Sequence, residues 1–266
     1  MIPKIIHFCW FGGNPIPDEY KKYMASWTKH CPDYEIVRWD DSNYDITKNP
    51  YMHEAYKAKK WAFVSDYARL DIIYNHGGIY LDTDVELLRN IDDLLVYEAF
   101  AGFEDGKHIA LGLGFGAVKG HSTVKELRDI IYDSLVFLKK DGTYELTPSP
   151  KHQTTCMTSK GLAPNNKKQV VAGITILPTE YLCPKDYATG RLKKTKNTYS
   201  IHHFSASWFS EEERREYLKS QSFQKVFGKT VGAKLYNASY IFRTAGIRGV
   251  RGKIKEQVKS QSKPTS

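Results

Sequence analysis

The chain has 266 residues, 41% of them hydrophobic and 13% aromatic, which is enough apolar material for one sizeable core. It contains no apolar run of 18 residues, so no membrane-spanning helix is expected. The formal net charge of +9 is unevenly distributed, because residues 219–266 carry +10 and the first 218 residues carry −1. The charge therefore predicts a folded domain over residues 1–218 and a basic tail over residues 219–266.

The first 81 residues alternate between strand and helix patterns. This alternation predicts an α/β fold, a Rossmann-like single domain with a mainly parallel central sheet covered on both faces. In chain order the expected elements are a strand at 4–11, a helix from Pro17, a strand at 34–39, a helix at 61–76 ended by Gly77-Gly78, and a strand at 79–81.

Farther along the chain, Thr123 and Glu126 have the spacing of a capping box. They predict a helix that reaches Leu138 and turns its apolar residues inward. Ser210 and Glu213 predict a second capping box at the start of a charged helix. The segments "ITILP" and "YSIHHF" indicate later strands, and the glycine-rich "LGLGFGAVKG" suits a segment that passes close to a ligand.

Two carboxylates, Asp82 and Asp84, stand one residue apart at the end of the 79–81 strand. A turn is the simplest interpretation, because Asp is common in turns. The alternative is a divalent cation site, since Mg²⁺ and Mn²⁺ prefer carboxylate and phosphate oxygens. In open α/β sheets ligands bind beyond the carboxyl ends of the strands, and "WFGG" (residues 10–13) falls at such an end too. Both segments should therefore face one cleft.

Asp66 and Arg69 lie three residues apart on one face of the predicted 61–76 helix. An exposed ion pair of this kind is common and weak. Apolar residues on both sides of the pair nevertheless predict that the helix is mostly buried. A buried arginine needs partners, and a diphosphate or sugar hydroxyls would serve.

Three segments together resemble a known family: "IHFCWFGG", "FVSDYARLDIIYNHGGIYLDTDVEL" and "YSIHHFSASW". They look like the signature blocks of the DXD-containing sugar transferases (glycosyltransferase family 32-like). That group includes capsular and exopolysaccharide transferases, Golgi mannosyltransferases and, more distantly, the clostridial glucosylating toxins. The resemblance runs from about Ile2 to Phe209. It implies a GT-A fold, a nucleotide-sugar donor, a divalent metal, Mn²⁺ or Mg²⁺, and transfer with retention of anomeric configuration.

The resemblance also implies roles for individual residues. Trp10 would stack on the nucleobase, although a core aromatic is the alternative. Asp84 would be the direct metal ligand, and His203 would be the third ligand, with His202, Ser205 and Ser207 as the alternatives. The implied catalytic residues are Asp66, Arg69, Asp82, Asp84 and Trp208. The implied donor-binding residues are Phe8, Trp10, Gly12, Gly13, Asp66, Arg69, Tyr80, Asp82, Thr83, Ser207 and Trp208. The implied metal ligands are Asp82, Asp84 and His203.

The expected function is therefore a metal-dependent retaining glycosyltransferase. It would move a hexose from a nucleotide sugar, expected to be UDP-linked, to a lipid-linked glycan acceptor in capsule or exopolysaccharide synthesis. A nucleotide-sugar hydrolase is one alternative, because it needs the same donor site but no acceptor groove. A non-catalytic membrane-surface binding module is another, and the loss of a metal carboxylate would be its mark.

The tail interleaves apolar residues with Lys and Arg from Phe223 to Ile241. This pattern is typical of a basic amphipathic helix on an anionic membrane surface. Nucleic acid is the competing partner, but the first 218 residues show no nucleic-acid module, so none is expected. A solvated charged helix that binds no partner is the other alternative. Four scattered cysteines and no export signal favour reduced thiols. The expected location is the cytoplasm, peripheral on the inner face of the cell membrane.

Overall fold

The computed structural model describes residues 1–205 and 211–244. The chain divides into two compact units. Among the described residues, the first unit comprises 1–185 and 192–205, and the second comprises 186–191 and 211–244. Three predicted residues, Ser207, Trp208 and Ser210, lie outside the described residues.

The first unit consists of ten strands and six helices. The strands are β1 (Ile5–Cys9), β2 (Glu35–Trp39), β3 (Gly78–Tyr80), β4 (Val85–Leu87), β5 (Ala99–Phe103), β6 (Ile109–Ala110), β7 (Phe115–Ala117), β8 (Gln169–Val171), β9 (Ile174–Leu177) and β10 (Ser200–His202). The helices are α1 (Asp18–His30), α2 (Pro50–Lys57), α3 (Trp61–His76), α4 (Ser122–Tyr132), α5 (Ser149–Thr158) and α6 (Thr179–Leu182), and a 3₁₀ turn covers Asp92–Leu94.

Eight of these strands form the central sheet, in the order β2-β1-β3-β7-β5-β9-β8, with β6 paired to β5. Strands β2, β1, β3, β5 and β9 run in one direction, and β7, β8 and β6 run against them. The expected α/β fold with a mainly parallel sheet is confirmed. Strand β10 does not join this sheet but pairs antiparallel with β4.

Both faces of the sheet are covered, because its side chains alternate between two apolar clusters. Ile79 of β3 enters one cluster and Tyr80 the other, and Phe100 and Ala101 of β5 divide in the same way. One cluster receives buried residues of α2, α3, α4 and α5. The other receives Trp27 of α1 together with the buried residues of β4 and α6. The sheet is therefore the middle layer of three.

Helix α3 has the bounds that the sequence predicts, and Gly77 follows it with a φ of +71°. A Cβ at Gly77 would lie 2.8 Å from the backbone nitrogen of Lys119, so both conformation and space favour glycine there. Eleven consecutive residues of the helix, Phe63–Ile73, are buried. The chain then enters β3 and leaves the sheet at Asp82.

The prediction for the next helix is wrong at both ends. Thr123 lies inside α4 and its hydroxyl donates to Ala172 O at 2.5 Å, while Glu126 pairs with Lys160. Neither forms a capping box. The helix ends at Tyr132, so Leu138 lies beyond it and is exposed.

The second unit contains helix α7 (Glu211–Phe227) and a helical segment over residues 229–244. Helix α7 continues across residues 218 and 219, where the charge pattern suggested a boundary. The division into domains at that position stays a prediction. Among the described residues, each helix is too short or too polar to cross a bilayer.

Candidate functional site

Two neighbouring strands end at the same edge of the sheet. Strands β1 and β3 are parallel, with His7 opposite Tyr80, and Leu81 N donates to His7 O at 3.0 Å. The segments 10–13 and 82–84 therefore leave the sheet side by side, as expected. Trp10 is half-buried there and its indole donates to Asn14 O at 2.6 Å.

The Arg69 guanidinium lies between two carboxylates at this edge. Its Nη2 is 3.1 Å from Asp66 Oδ1 and 3.4 Å from Asp82 Oδ1, and its Nε donates to Ser65 O at 3.1 Å. The Tyr80 hydroxyl donates to Asp82 Oδ1 at 3.0 Å. Arg69 is only 5% exposed. The structure thus brings the predicted helical pair, the strand-end carboxylate and Tyr80 into one buried group.

Gly112 completes the wall of this group. Its carbonyl accepts from Asp82 N at 3.0 Å. A Cβ at Gly112 would lie 2.1 Å from Asp82 Oδ2 and 2.8 Å from Arg69 Nη1. Only a glycine lets this segment lie directly on the ion pair. The glycine-rich sequence signalled the approach. The sequence also suggested that the segment 147–155 shapes the sugar and acceptor pockets, and Ser149 of that segment donates its hydroxyl to Asp66 Oδ1 at 2.8 Å.

A second group adjoins the first through Asp84. His202 Nε2 is 3.2 Å from Asp84 Oδ1, and Ser205 N donates to Asp84 Oδ2 at 2.8 Å. The ligand atoms of Asp82, Asp84 and His202 all lie within 4.8 Å of one another. Two carboxylates and an imidazole are a suitable ligand set for a divalent cation such as Mn²⁺.

In the structure His202, and not the predicted His203, lies with the two aspartates, and the identity of the third metal ligand stays a prediction. His203 Nε2 lies 2.8 Å from Glu86 Oε2, and its ring stacks on Tyr23 with the centroids 3.9 Å apart. The physical reason is alternation, since neighbouring residues on an extended segment point to opposite sides. Of the two histidines, His202 is the one that faces the aspartates.

Burial and charge act against each other throughout the cluster. Burial raises the pKa of Asp66 and of Asp82. Burial would lower the pKa of Arg69, but Asp82 raises it. In the same way, burial disfavours a charged pair at Asp84 and His202, yet their attraction raises the pKa of His202 and lowers that of Asp84 to about 2.

The formal charges of these five side chains do not balance. Three carboxylates face one guanidinium and one imidazole, and a histidine that binds a metal must give up its extra proton. The cluster then has a net charge of −2. A divalent cation would neutralise it, so the residues present fit the metal that the resemblance implies.

Two predicted donor-binding residues occupy structural positions. Phe8 is buried and packs edge-on against Trp27, with ring centroids 5.7 Å apart, so the structure does not bring its side chain to the cluster. Gly12 N donates to Asp41 Oδ2 at 2.9 Å, and a Cβ at Gly12 would lie 2.5 Å from the Trp61 ring. Gly12 therefore allows Trp61 to pack against this loop.

Gly13 has a φ of +69° and open space at its Cβ position, and Thr83 is half-buried between the two aspartates. Both stay predicted donor contacts. The assignments of Ser207 and Trp208 fall outside the described residues.

A mixed α/β sheet with two carboxylates, an imidazole and a buried arginine at its strand ends is an arrangement suited to a divalent cation. The family is given by comparison: residues 17–101 match the model described as the glycosyltransferase sugar-binding region containing DXD motif. The resemblance inferred from the sequence is confirmed, because residues 17–101 are similar to the sugar-binding region of the DXD-containing sugar transferases.

Curated relatives agree with this family. The chain is 36% identical over 124 residues to inositol phosphoceramide mannosyltransferase 3 of Schizosaccharomyces pombe, a match that covers 45% of this chain and 34% of that protein. It is 29% identical over 190 residues to an uncharacterized glycosyltransferase (L373) of Acanthamoeba polyphaga mimivirus, covering 69% of this chain and 74% of that protein. The chain thus spans about a third of the length of the fungal relative.

Among solved structures, the PaToxG glycosyltransferase aligns with a TM-score of 0.49 at 16% identity. That alignment covers 60% of this chain and 70% of the other.

Proposed function

We propose that the protein is a metal-dependent retaining glycosyltransferase. It transfers a hexose from a nucleotide sugar, which we expect to be a UDP sugar, to a lipid-linked glycan acceptor. The reaction would belong to the synthesis of capsule, exopolysaccharide or a similar surface polysaccharide. The observation that carries this proposal is the joined cluster in which Arg69 lies between Asp66 and Asp82 while Asp84 and His202 lie alongside. The family match over residues 17–101 supports it.

Each residue of the cluster has a definite task under this proposal. Asp82, Asp84 and His202 would hold a Mn²⁺ or Mg²⁺ ion, which when bound supplies positive charge to the departing diphosphate. Asp66, fixed by Arg69 and Ser149, offers a carboxylate of set orientation to sugar hydroxyls. Arg69 fixes the positions of the Asp66 and Asp82 carboxylates. Because Arg69 is buried, it also excludes water from that side of the site.

The lipid-linked acceptor is supported by the curated relatives. The Schizosaccharomyces pombe protein is named as an inositol phosphoceramide mannosyltransferase, so a lipid carries the acceptor of that protein. We extend this to a lipid-linked glycan here and to a location in the cytoplasm on the inner face of the cell membrane. The basic tail is the part of the chain suited to contact that surface.

Asp84→Asn tests the proposal directly. Transfer measured with Mn²⁺ and a panel of UDP- and GDP-linked sugars should fall by about 10²-fold or more, because the charge that holds the cation is lost. Asp133→Asn, the same change at an exposed position, should keep wild-type activity. Near-normal transfer by Asp84→Asn would refute the metal assignment.

Two further measurements address the finer claims. NMR of the first-formed product should show the anomeric configuration of the donor, and inversion would refute retention. Sugar release from the donor should depend on a lipid-linked oligosaccharide. Equal release without any acceptor would favour the nucleotide-sugar hydrolase instead.

A further inference from the structure

The second unit contains a tight helical hairpin. Helix α7 ends at Phe227, Gly228 adopts a φ of +80°, and residues 229–244 form the returning helix. A Cβ at Gly232 would lie 2.4 Å from Gln224 Cα, so the two helix backbones are in direct contact there. This crossing fixes which side of the returning helix faces α7.

The inward side of the returning helix is anchored by polar contacts. The Tyr236 hydroxyl donates to Glu216 Oε2 at 2.8 Å, and Arg243 Nη2 donates to the same oxygen at 2.9 Å. The ring of Tyr236 also packs edge-on against Phe223 of α7, with centroids 6.1 Å apart. Gly232, Tyr236 and Arg243 recur at spacings of four and seven, so they form one helix face.

Apolar residues on the returning helix lie exposed on a different face. Val231, Leu235 and Phe242 also follow one another at spacings of four and seven, and they are 54%, 41% and 56% exposed. Val226 and Phe227 at the turn are 71% and 52% exposed. An amphipathic helix normally buries its apolar stripe, and a contiguous exposed stripe marks an interaction surface.

The charge around this stripe selects its partner. The sequence between Glu216 and Glu256 contains nine Lys or Arg residues and no acidic residue. Lys225, Lys229 and Lys234 are exposed beside the stripe, and Lys229 also pairs with Asp186 of the same unit. A surface that is apolar and basic together is complementary to anionic lipid, which offers acyl chains below and negative headgroups above.

We propose that the hairpin docks on an anionic membrane surface through its outer face, defined as Val226, Phe227, Val231, Leu235 and Phe242. This deepens the proposed function, on whose lipid-linked acceptor it rests, by naming the face that makes the contact. The sequence pattern alone counted Phe223 and Tyr236 in the apolar face. The structure directs them toward the partner helix, so they do not belong to the docking surface.

The test uses the full chain and vesicles of phosphatidylglycerol with phosphatidylcholine. The double variant Val231→Gln/Leu235→Gln should reduce flotation with these vesicles at least about tenfold, because two side chains lose their apolar burial in the interface. Val170→Gln in β8, a side chain 70% exposed in the first unit, should bind like the wild type. Wild-type binding should weaken in high salt and be poor with phosphatidylcholine alone.

Three outcomes would overturn the inference: no flotation of the wild type, equal flotation of the double variant, or a wild-type dimer that the double variant converts to a monomer. The last would assign the outer face to a second copy of the chain. Metal-dependent binding of a nucleotide, measured on the same samples, reports on the proposed function separately. If that binding persists while the wild type fails to float, only the docking proposal fails.

Discussion

At the scale of single residues, Arg69 compensates a buried carboxylate, Asp66, and a half-buried one, Asp82, at once. Arg69→Gln removes the charge and leaves Asp66 and Asp82 without it. We expect the free energy of unfolding, measured with urea, to fall by about 3–5 kcal/mol. Arg38→Gln is the matched control, since the Arg38 side chain is exposed and the loss of its pair with Asp40 should cost at most about 1 kcal/mol. Equal losses in the two variants would show that the Arg69 group is not a buried ion-pair network.

Gly112→Ala tests the wall of the site. The new methyl group would overlap the Asp82 carboxylate and push it from Arg69, so Mn²⁺ affinity, measured by electron paramagnetic resonance, should fall by about tenfold or more. Gly116→Ala is the control, because its Cβ would lie 2.7 Å from the Phe100 ring and away from the aspartates. It should lower stability while leaving Mn²⁺ affinity near the wild-type value. A Gly112→Ala protein that binds Mn²⁺ normally would contradict the role of this glycine.

The sequence predicted which residues lie close together where spacing alone determines proximity. Asp66 and Arg69 meet because three residues on a helix place them on one face, and Asp82 meets them because a strand ends there. It did not distinguish His202 from His203, because a shift of one residue on an extended segment reverses the direction of the side chain. The glycine-rich segment around Gly112 signalled a close approach, but the contacts that Gly112 and Ser149 make with the site come from distant parts of the chain and depend on the tertiary fold.

At the scale of elements, α3 was predictable and α4 was not, for different physical reasons. Helix α3 is followed by Gly77, whose positive φ favours glycine. The sequence therefore predicts where this helix ends. At α4 the capping-box spacing does not mark the start of the helix. The Thr123 hydroxyl instead donates to Ala172 O, a residue that only the tertiary fold brings close. Capping residues and terminal glycines in the sequence therefore predict where an element begins or ends only when the same side chains make no competing tertiary contacts.

His7 links strand β1 to Trp39 of β2 and to Gly77, which follows α3. The titration of this buried ring predicts that the stability of the protein depends on pH. The ring of His7 lies 2.9 Å from Gly77 O, and Trp39 Nε1 donates to its Nδ1 at 3.1 Å. The pKa of His7 is lowered to about 4, because burial and the charge of His76 lower it more than the hydrogen bond to Gly77 O raises it. The neutral ring therefore stabilises the fold fully above about pH 6.5, and this contribution is lost as the pH falls toward 4.

The loss should amount to about 3 kcal/mol between pH 7 and pH 4. Urea unfolding of His7→Gln across this range should show a shallower dependence on pH than the wild type, because the variant lacks this titrating group. The histidines that remain titrate in both proteins and cancel in the comparison. Parallel curves for the two proteins would contradict the assignment of the pH effect to His7.

At the scale of the whole molecule, the order of strands and helices predicted the α/β class and the mainly parallel sheet, but not which strands run antiparallel. Strand β7 runs antiparallel between β3 and β5. The chain reverses direction after the segment around Gly112, which packs on Asp82, and then enters β7. This reversal depends on tertiary contacts, and no local sequence pattern predicts it. Likewise, the basic and apolar composition of the tail indicated a surface-binding helix, but only the hairpin shows which apolar residues are exposed.

The charge balance of the complete site predicts how ligands stabilise the whole protein. A nucleoside diphosphate alone would be repelled by the negative cluster and should bind weakly. A divalent cation held by Asp82, Asp84 and His202 would supply the positive charge that offsets this repulsion. Mn²⁺ and UDP together at about 100 times their joint dissociation constant should add about 2.7 kcal/mol to the free energy of unfolding. For a domain of this size that corresponds to a rise in Tm of roughly 5–11 °C.

Differential scanning fluorimetry with Mn²⁺, UDP, both, or both with EDTA resolves the coupling. We expect the full rise only with both ligands, and its complete loss on chelation. Asp84→Asn should keep the unliganded Tm within a few degrees, since His202 can become neutral when its partner loses charge, and it should lose the UDP-dependent rise. A full rise with UDP in EDTA would mean that the protein binds the diphosphate without a cation, and the Asp82–Asp84–His202 cluster would need another role.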